Sequence, residues 1–167
     1  MTRDDLEFWA EVSARYHRRR AAFLARASAF MSAATLFGGA GAFASLFGTE
    51  TLWAKIITLC LTFLGVLQIV CQIDRNAAIH ERWLSQWNEL LFELHVTPES
   101  NEHDLRRWTE RFYRIESECI GHMKALANDC FNSAMLGLGR EDNNPYRLKL
   151  YHRLFMHFLS FENGNFK

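Results

Sequence analysis

Two long uncharged runs dominate the pattern of apolar and polar positions: ASAFMSAATLFGGAGAFASLFGT over residues 27–49 and IITLCLTFLGVLQIVCQI over residues 56–73. The first has 23 residues. As a helix it is roughly 35 Å long, enough to cross a hydrocarbon core of ~30 Å. The second has 18 residues. Counted from Thr51, with Lys55 near its outer end, it reaches the roughly 20 residues that a span needs. The pattern predicts a two-helix transmembrane hairpin over residues 27–73, turning at Gly48, Thr49 and Glu50.

Helical periodicity continues on both sides. Leu6, Trp9, Val12 and Tyr16 make residues 1–26 an amphipathic helix running into the first span. After Asp74, Ile79, Trp83, Trp87, Leu90 and Leu94 share one side, so the second span is predicted to continue as one rod over residues 51–95. Pro98 and Ser100 break it. A second long helix is predicted over 102–134 from Leu105, Trp108, Phe112, Ile115, Cys119, Met123, Leu126 and Cys130, antiparallel to the rod, its aromatic stripe read as core. Gly137, Gly139 and EDNNP form a turn-rich loop, and Pro145 opens a last helix ending near Phe161. Its mixture of basic and aromatic residues suits either closure of the bundle, the reading adopted, or a membrane interface. The expected fold is all-α: a cytoplasmic N-terminal helix (1–26), the hairpin (27–73) and a cytoplasmic helical bundle (74–167).

The two spans differ in their side chains. Along the first, Ala34, Gly38, Gly41 and Ser45 form part of a small-residue row, joined by a neighbouring row of Ser28, Ser32, Thr35, Gly39 and Ala42. Membrane helices lack a hydrophobic drive to associate and rely on close backbone approach and interhelical hydrogen bonds, so this face is predicted to pack against protein. That protein is either the hairpin partner or another subunit. Phe30 and Phe37 fall on the opposite, lipid-facing side. Along the second span, Lys55, Thr58, Thr62, Gly65, Gln68 and Gln72 lie within a stripe of roughly 140° at 100° per residue. Such a stripe must face protein or water. Two alternatives stand: hydrogen bonding to Ser28, Ser32 and Thr35, or a water-accessible pathway in an oligomer.

Charge sets the orientation. The chain has 19 basic and 19 acidic residues, which argues against nucleic acid as a bulk electrostatic partner. Arg18, Arg19, Arg20 and Arg26 nevertheless cluster at the border of the first span, and Arg75 and Arg82 follow the second. The positive-inside bias holds both termini in the cytoplasm. Asp4, Asp5, Glu7 and Glu11 precede the first apolar run, unlike a cleaved secretory signal, so that run is expected to remain in the mature protein.

Catalytic chemistry is sparse. The seven histidines are scattered, and Cys119 and His122 share a helical face without a second ligand pair. The GLG of Gly137 to Gly139 lacks the lysine and the longer glycine pattern of a phosphate loop. Cys60 and Cys71 lie within the second run, and nothing suggests a disulfide framework. No enzyme activity, metal or cofactor is expected.

The segments YHRRRAAFLARASAF (Tyr16 to Phe30), FGGAGA (Phe37 to Ala42) and QIDRNAAIHERWLSQW (Gln72 to Trp87) give residues 8–94 an architecture that resembles the SLATT families, two-span proteins of bacterial conflict systems. The resemblance implies an oligomeric inner-membrane effector that permeabilises or depolarises the membrane when a partnered sensor releases it, in anti-phage defence. The sensors implied are of nucleotidyltransferase, SLOG or reverse-transcriptase type. It supplies no catalytic residues. The rival expectation is a membrane anchor or scaffold for a cytoplasmic partner.

Overall fold

The computed structural model describes residues 1–45, 51–97, 101–119, 121–140, 145–161 and 166, without the side chains of 40–45. The predicted turn at Gly48, Thr49 and Glu50, the Pro98 and Ser100 break and most of EDNNP lie outside the described residues. The described residues form helices and no strand: α1 (Arg3–Ser45), α2 (Leu52–Val70), α3 (Ile73–Val96), α4 (Glu102–Glu118), α5 (Lys124–Gly137) and α6 (Leu150–Phe155). They divide into two compact units, Met1–Arg20 with His80–Lys167, and Ala21–Ile79; the divisions fall inside α1 and α3.

In the first unit the start of α1 buries two faces. Phe8, Val12 and Tyr16 pack on Leu126, Cys130, Ala134 and Met135 of α5. Leu6, Ala10, Ala14 and His17 are also buried, on the row bounded by Arg3 and His17, whose contacts are with α3: Arg3 donates to the Leu94 carbonyl at 2.6 Å and His17 meets His80. Small alanines let two helices approach α1 at once, which a face of leucines would prevent. Trp9, assigned to the apolar face from sequence, is 44% exposed, and Phe8 occupies the buried position. In the same unit, Trp87 of α3 meets Phe112 of α4 edge-on at 5.1 Å and Arg111 pairs with Glu89 and Glu93.

Three helix boundaries differ from the sequence pattern. The rod expected over 51–95 ends at Val70: Cys71 caps α2, Gln72 adopts φ 47°, and α3 starts at Ile73. No glycine or proline marks the joint. It is built by hydrogen bonds, the Asn76 amide donating to the Cys71 carbonyl at 3.0 Å and Arg75 to the Gln72 side-chain oxygen at 2.9 Å. These offset the roughly 1–2 kcal/mol that a left-handed conformation costs a residue with a Cβ. The helix expected over 102–134 is two helices, α4 and α5, separated at 119–123, where Gly121 takes φ +43° and the Met123 amide donates to the Tyr16 hydroxyl at 3.0 Å. The last helix is one short segment, Leu150–Phe155, preceded by an extended stretch that Asn132 pins through the amide and carbonyl of Tyr146 at 2.8 and 2.7 Å.

In the second unit, the later part of α1 lies beside α2. Two stretches, Arg3–Gly39 and Leu52–Val70, meet the length and apolarity needed to cross a membrane. No α2 residue is buried. Phe30, Phe37, Leu59 and Ile69 are 60% or more exposed, at 71%, 76%, 70% and 78%.

Candidate functional site

The contact between α1 and α2 is built from small residues, as the row of glycines and hydroxyls requires. Gly38 sits against Leu61: a Cβ on Gly38 would lie 2.9 Å from the Leu61 Cβ, inside any real contact distance. Gly65 gives the reciprocal site, where a Cβ would lie 3.2 Å from Thr35 Cγ2. Each helix therefore offers a hole to a side chain of the other. Ala34 is half-buried in the same stretch and Gly39 faces open space. The side chains of Gly41, Ala42 and Ser45 lie outside the described residues.

Toward one end the packing becomes polar. The Gln68 amide nitrogen donates to Ser28 Oγ at 3.0 Å and Ser32 Oγ at 2.8 Å, and the Ser28 hydroxyl donates to the Asp74 carboxylate. Asp74, which follows the apolar run, is a member of this network that helical periodicity did not single out. Thr35, also considered as a partner for the stripe, donates instead to the Met31 carbonyl at 2.8 Å, and Thr62 donates to the Thr58 carbonyl at 2.9 Å. Both threonine protons are thus committed to their own helix, and the hydroxyl lone pairs are the hydrogen-bonding capacity left over.

An open groove of about 620 Å³ runs along the hairpin between the two helices, lined in part by Ser32, Thr35, Thr58, Thr62 and Gln68. Four members of the predicted stripe, Thr58, Thr62, Gly65 and Gln68, therefore come together. Lys55 and Gln72 are exposed and do not line the groove. No family model, curated protein or solved structure matches the chain. Its function must be argued from the geometry of these residues.

The basic cluster separates into two pairs. Arg18 and Arg26 are exposed. Arg19 pairs with Asp129 and donates to Ser133 Oγ at 2.9 Å, and Arg20 donates to the His157 carbonyl. Burial lowers the Arg20 pKa. Two of the four arginines are therefore engaged within the first unit, leaving a smaller exposed cationic border than residue types alone suggest.

Histidines that appear scattered in the sequence converge in that unit. His17 Nδ1 lies 2.8 Å from His80 Nδ1, and its Nε2 is 3.5 Å from Cys119 Sγ. Tyr16 and His122 stand beside them at 5.0 Å between ring centroids, and Trp83 packs on both His17 and His80. Only one proton fits between the two Nδ1 atoms, and either tautomer serves. Burial, reinforced by His80 and His122, pushes His17 down to about 3. Burial, reinforced by Arg20 and His122, pushes His80 down to about 4. Burial also raises the Cys119 thiol to about 11. The cluster is neutral, unlike an activated thiolate–imidazolium pair. Cys119 and His122 lie in the α4–α5 connection, so the helical face inferred for them from spacing does not exist. Among the described residues no three His, Cys, Asp or Glu side chains are arranged so that they could hold a metal ion together. Both His17 nitrogens face other side chains, Nδ1 toward His80 and Nε2 toward Cys119. The signal missed in sequence was His17 itself, one step from Tyr16 on a helix that buries two faces.

Proposed function

We propose that the chain is an oligomeric inner-membrane effector, with both termini in the cytoplasm, that makes the membrane leaky when a partner sensor triggers it, in anti-phage defence as its resemblance to SLATT families implies. The observation that carries the proposal is the groove: a membrane-length pair of helices keeps an open, largely apolar face into which Ser32, Thr35, Thr58, Thr62 and Gln68 bring hydroxyls and an amide, hydrogen-bonding capacity that lipid contact would leave unused. In an oligomer that face lines a path between subunits. Threonine oxygens whose protons are turned to the backbone favour a cation over an anion there. The trigger reaches the groove through the α2–α3 joint, where the left-handed Gln72 makes the two helices separate levers rather than one rod.

One observation favours a second reading, a passive anchor: Gln68, the glutamine of the stripe that lines the groove, is already hydrogen-bonded within the hairpin. The readings differ in a membrane-potential dye assay on expressing cells. Depolarisation by the wild type, abolished by combined Thr58→Val and Thr62→Val at equal membrane protein levels, is the effector outcome. Absence of depolarisation, or leakage at the wild-type rate in the double variant, removes the groove as a pathway.

A further inference from the structure

The segment after α5 is inside out. Residues 145–161 are fastened to α5 at both ends, through Asn132 to Tyr146 and through the Lys124 amide to the Ser160 carbonyl at 3.2 Å. On α6 the inward side chain is His152, 3% exposed and packed between Phe166 at 4.9 Å and Phe161 at 5.0 Å. At 100° per residue Leu150 and Leu154 stand roughly 160° from His152. They are 74% and 62% exposed. Tyr151 and Phe155 follow on one flank, about half exposed, and Leu159 extends the surface. A folded chain in water does not gain by placing two leucines and a phenylalanine outward and an imidazole inward, so the surface has another solvent or partner.

Its charges say which. Arg147, Lys149 and Arg153 are all exposed, and residues 145–161 contain no aspartate or glutamate. A protein groove for six helical residues would need acidic partners set against three cations at fixed positions. A lipid headgroup layer meets them with mobile phosphates while the aromatic and leucine side chains enter the acyl boundary. We infer that residues 145–161 bind the headgroup layer of an anionic bilayer, Leu150 and Leu154 inserting and Arg147, Lys149 and Arg153 contacting phosphate. The inference rests on the membrane reading above, by which the chain is tethered to a bilayer. It adds a second, peripheral contact to the spanning one.

The test uses the full chain in nanodiscs, with Leu154→Cys carrying a bimane label and the exposed Cys60 and Cys71 replaced by serine. Brominated phosphatidylglycerol should quench the label at least twofold more strongly than brominated phosphatidylcholine does, since each cation at an anionic surface adds about fivefold in partitioning. Combined Arg147→Glu, Lys149→Glu and Arg153→Glu should remove that difference. Equal quenching in both lipids, or a label shielded from aqueous iodide yet untouched by either brominated lipid, overturns the inference; the latter marks a protein contact. Alkaline extraction of native membranes reads the spans separately. A chain retained after extraction but unquenched at position 154 refutes only the peripheral contact. A chain stripped by extraction but quenched in anionic discs refutes only the spanning helices.

Discussion

The two units solve the packing problem in opposite ways. In the first, Trp87, Trp108, Leu90 and Leu94 are at most 1% exposed and the helices meet through large side chains. In the second, the large side chains point outward and the helices meet through Gly38, Gly65 and a glutamine–serine–aspartate chain. Removal of apolar area from water accounts for the first, at about 25 cal/mol per Å². It cannot account for the second, where α2 buries no residue; close backbone approach and hydrogen bonds remain, the means by which helices associate without a hydrophobic drive. The same residue type therefore carries different information in each unit. A buried leucine in one is replaced in the other by a glycine that admits it.

The largest effect should come from truncating matched positions. Trp87→Ala removes a fully buried ring packed edge-on against Phe112 and should cost about 3–5 kcal/mol in thermal unfolding. Leu59→Ala in α2, at a position 70% exposed, should stay within about 0.5 kcal/mol in detergent. Comparable losses at the two sites would erase the contrast between the units.

Acid should separate the units next. His17 and His80 are held by burial below the ordinary 6.5, at about 3 and about 4. Because the folded values are depressed, the unfolded chain takes up protons first as pH falls. Stability is intact above about 6.5, declines below it and levels off only near 3. Between pH 7 and pH 4 the first unit should therefore lose stability progressively. His17→Gln should flatten that decline, measured as melting temperature against pH. A wild-type melting point unchanged down to pH 4 would mean that the imidazoles are not packed as the contacts indicate.

How much of this was legible in the sequence depends on which forces set each feature. Helices and long apolar runs follow local properties, periodicity and composition, so the six described helices fall on the predicted helical segments, with α3 and α5 running past the expected ends by one and three residues, through Gly137 in the second case. Breaks set by tertiary hydrogen bonds are not local. The Cys71–Gln72 joint depends on Asn76 and Arg75 side chains, and the α4–α5 break on Gly121 and the Tyr16 hydroxyl, more than 100 positions from Met123. Gly121 was a signal, an isolated glycine in a helical pattern, but the hydrophobic steps across it read as continuous. For the site, Gln68 with Ser28 and Ser32 was part of one of the two alternatives that helical faces left open. The histidine cluster did not follow from helical faces, since no periodicity relates position 17 to 80 and 122. Nor did the outward leucines of α6: a period gives the angle between side chains, not which of them faces in.

Smaller effects test the hairpin itself. Gly38→Val places two methyl groups where Leu61 already stands and should cost about 1–3 kcal/mol of hairpin stability. Leu61→Ala opens the space that the new side chain needs. Combined, the two changes should destabilise less than their sum, by about 0.5 kcal/mol or more, in a thermal double-mutant cycle in detergent. Gly39→Ala, over open space, serves as the control and should be near neutral. Additive costs for Gly38 and Leu61 would show that the two helices do not meet at this register.

The smallest effect decides how the polar network works. Gln68→Leu removes the hydrogen bonds to Ser28 and Ser32 and a longer one to Asp74 at 3.5 Å, and leaves Ser28 still donating to Asp74. Interhelical hydrogen bonds in membranes average about 0.6 kcal/mol each, so losing both serine contacts should cost about 1 kcal/mol. Ser32→Ala on its own should cost about half as much, and on the Gln68→Leu background almost nothing, because its partner is already gone. Ser28→Ala should retain a cost on that background, since it also removes the bond to Asp74. The asymmetry between the two serines distinguishes a network ending in a carboxylate from two independent contacts. If both serines became silent once Gln68 was replaced, Asp74 would lie outside the network and the hairpin would be held at that end by the glutamine alone.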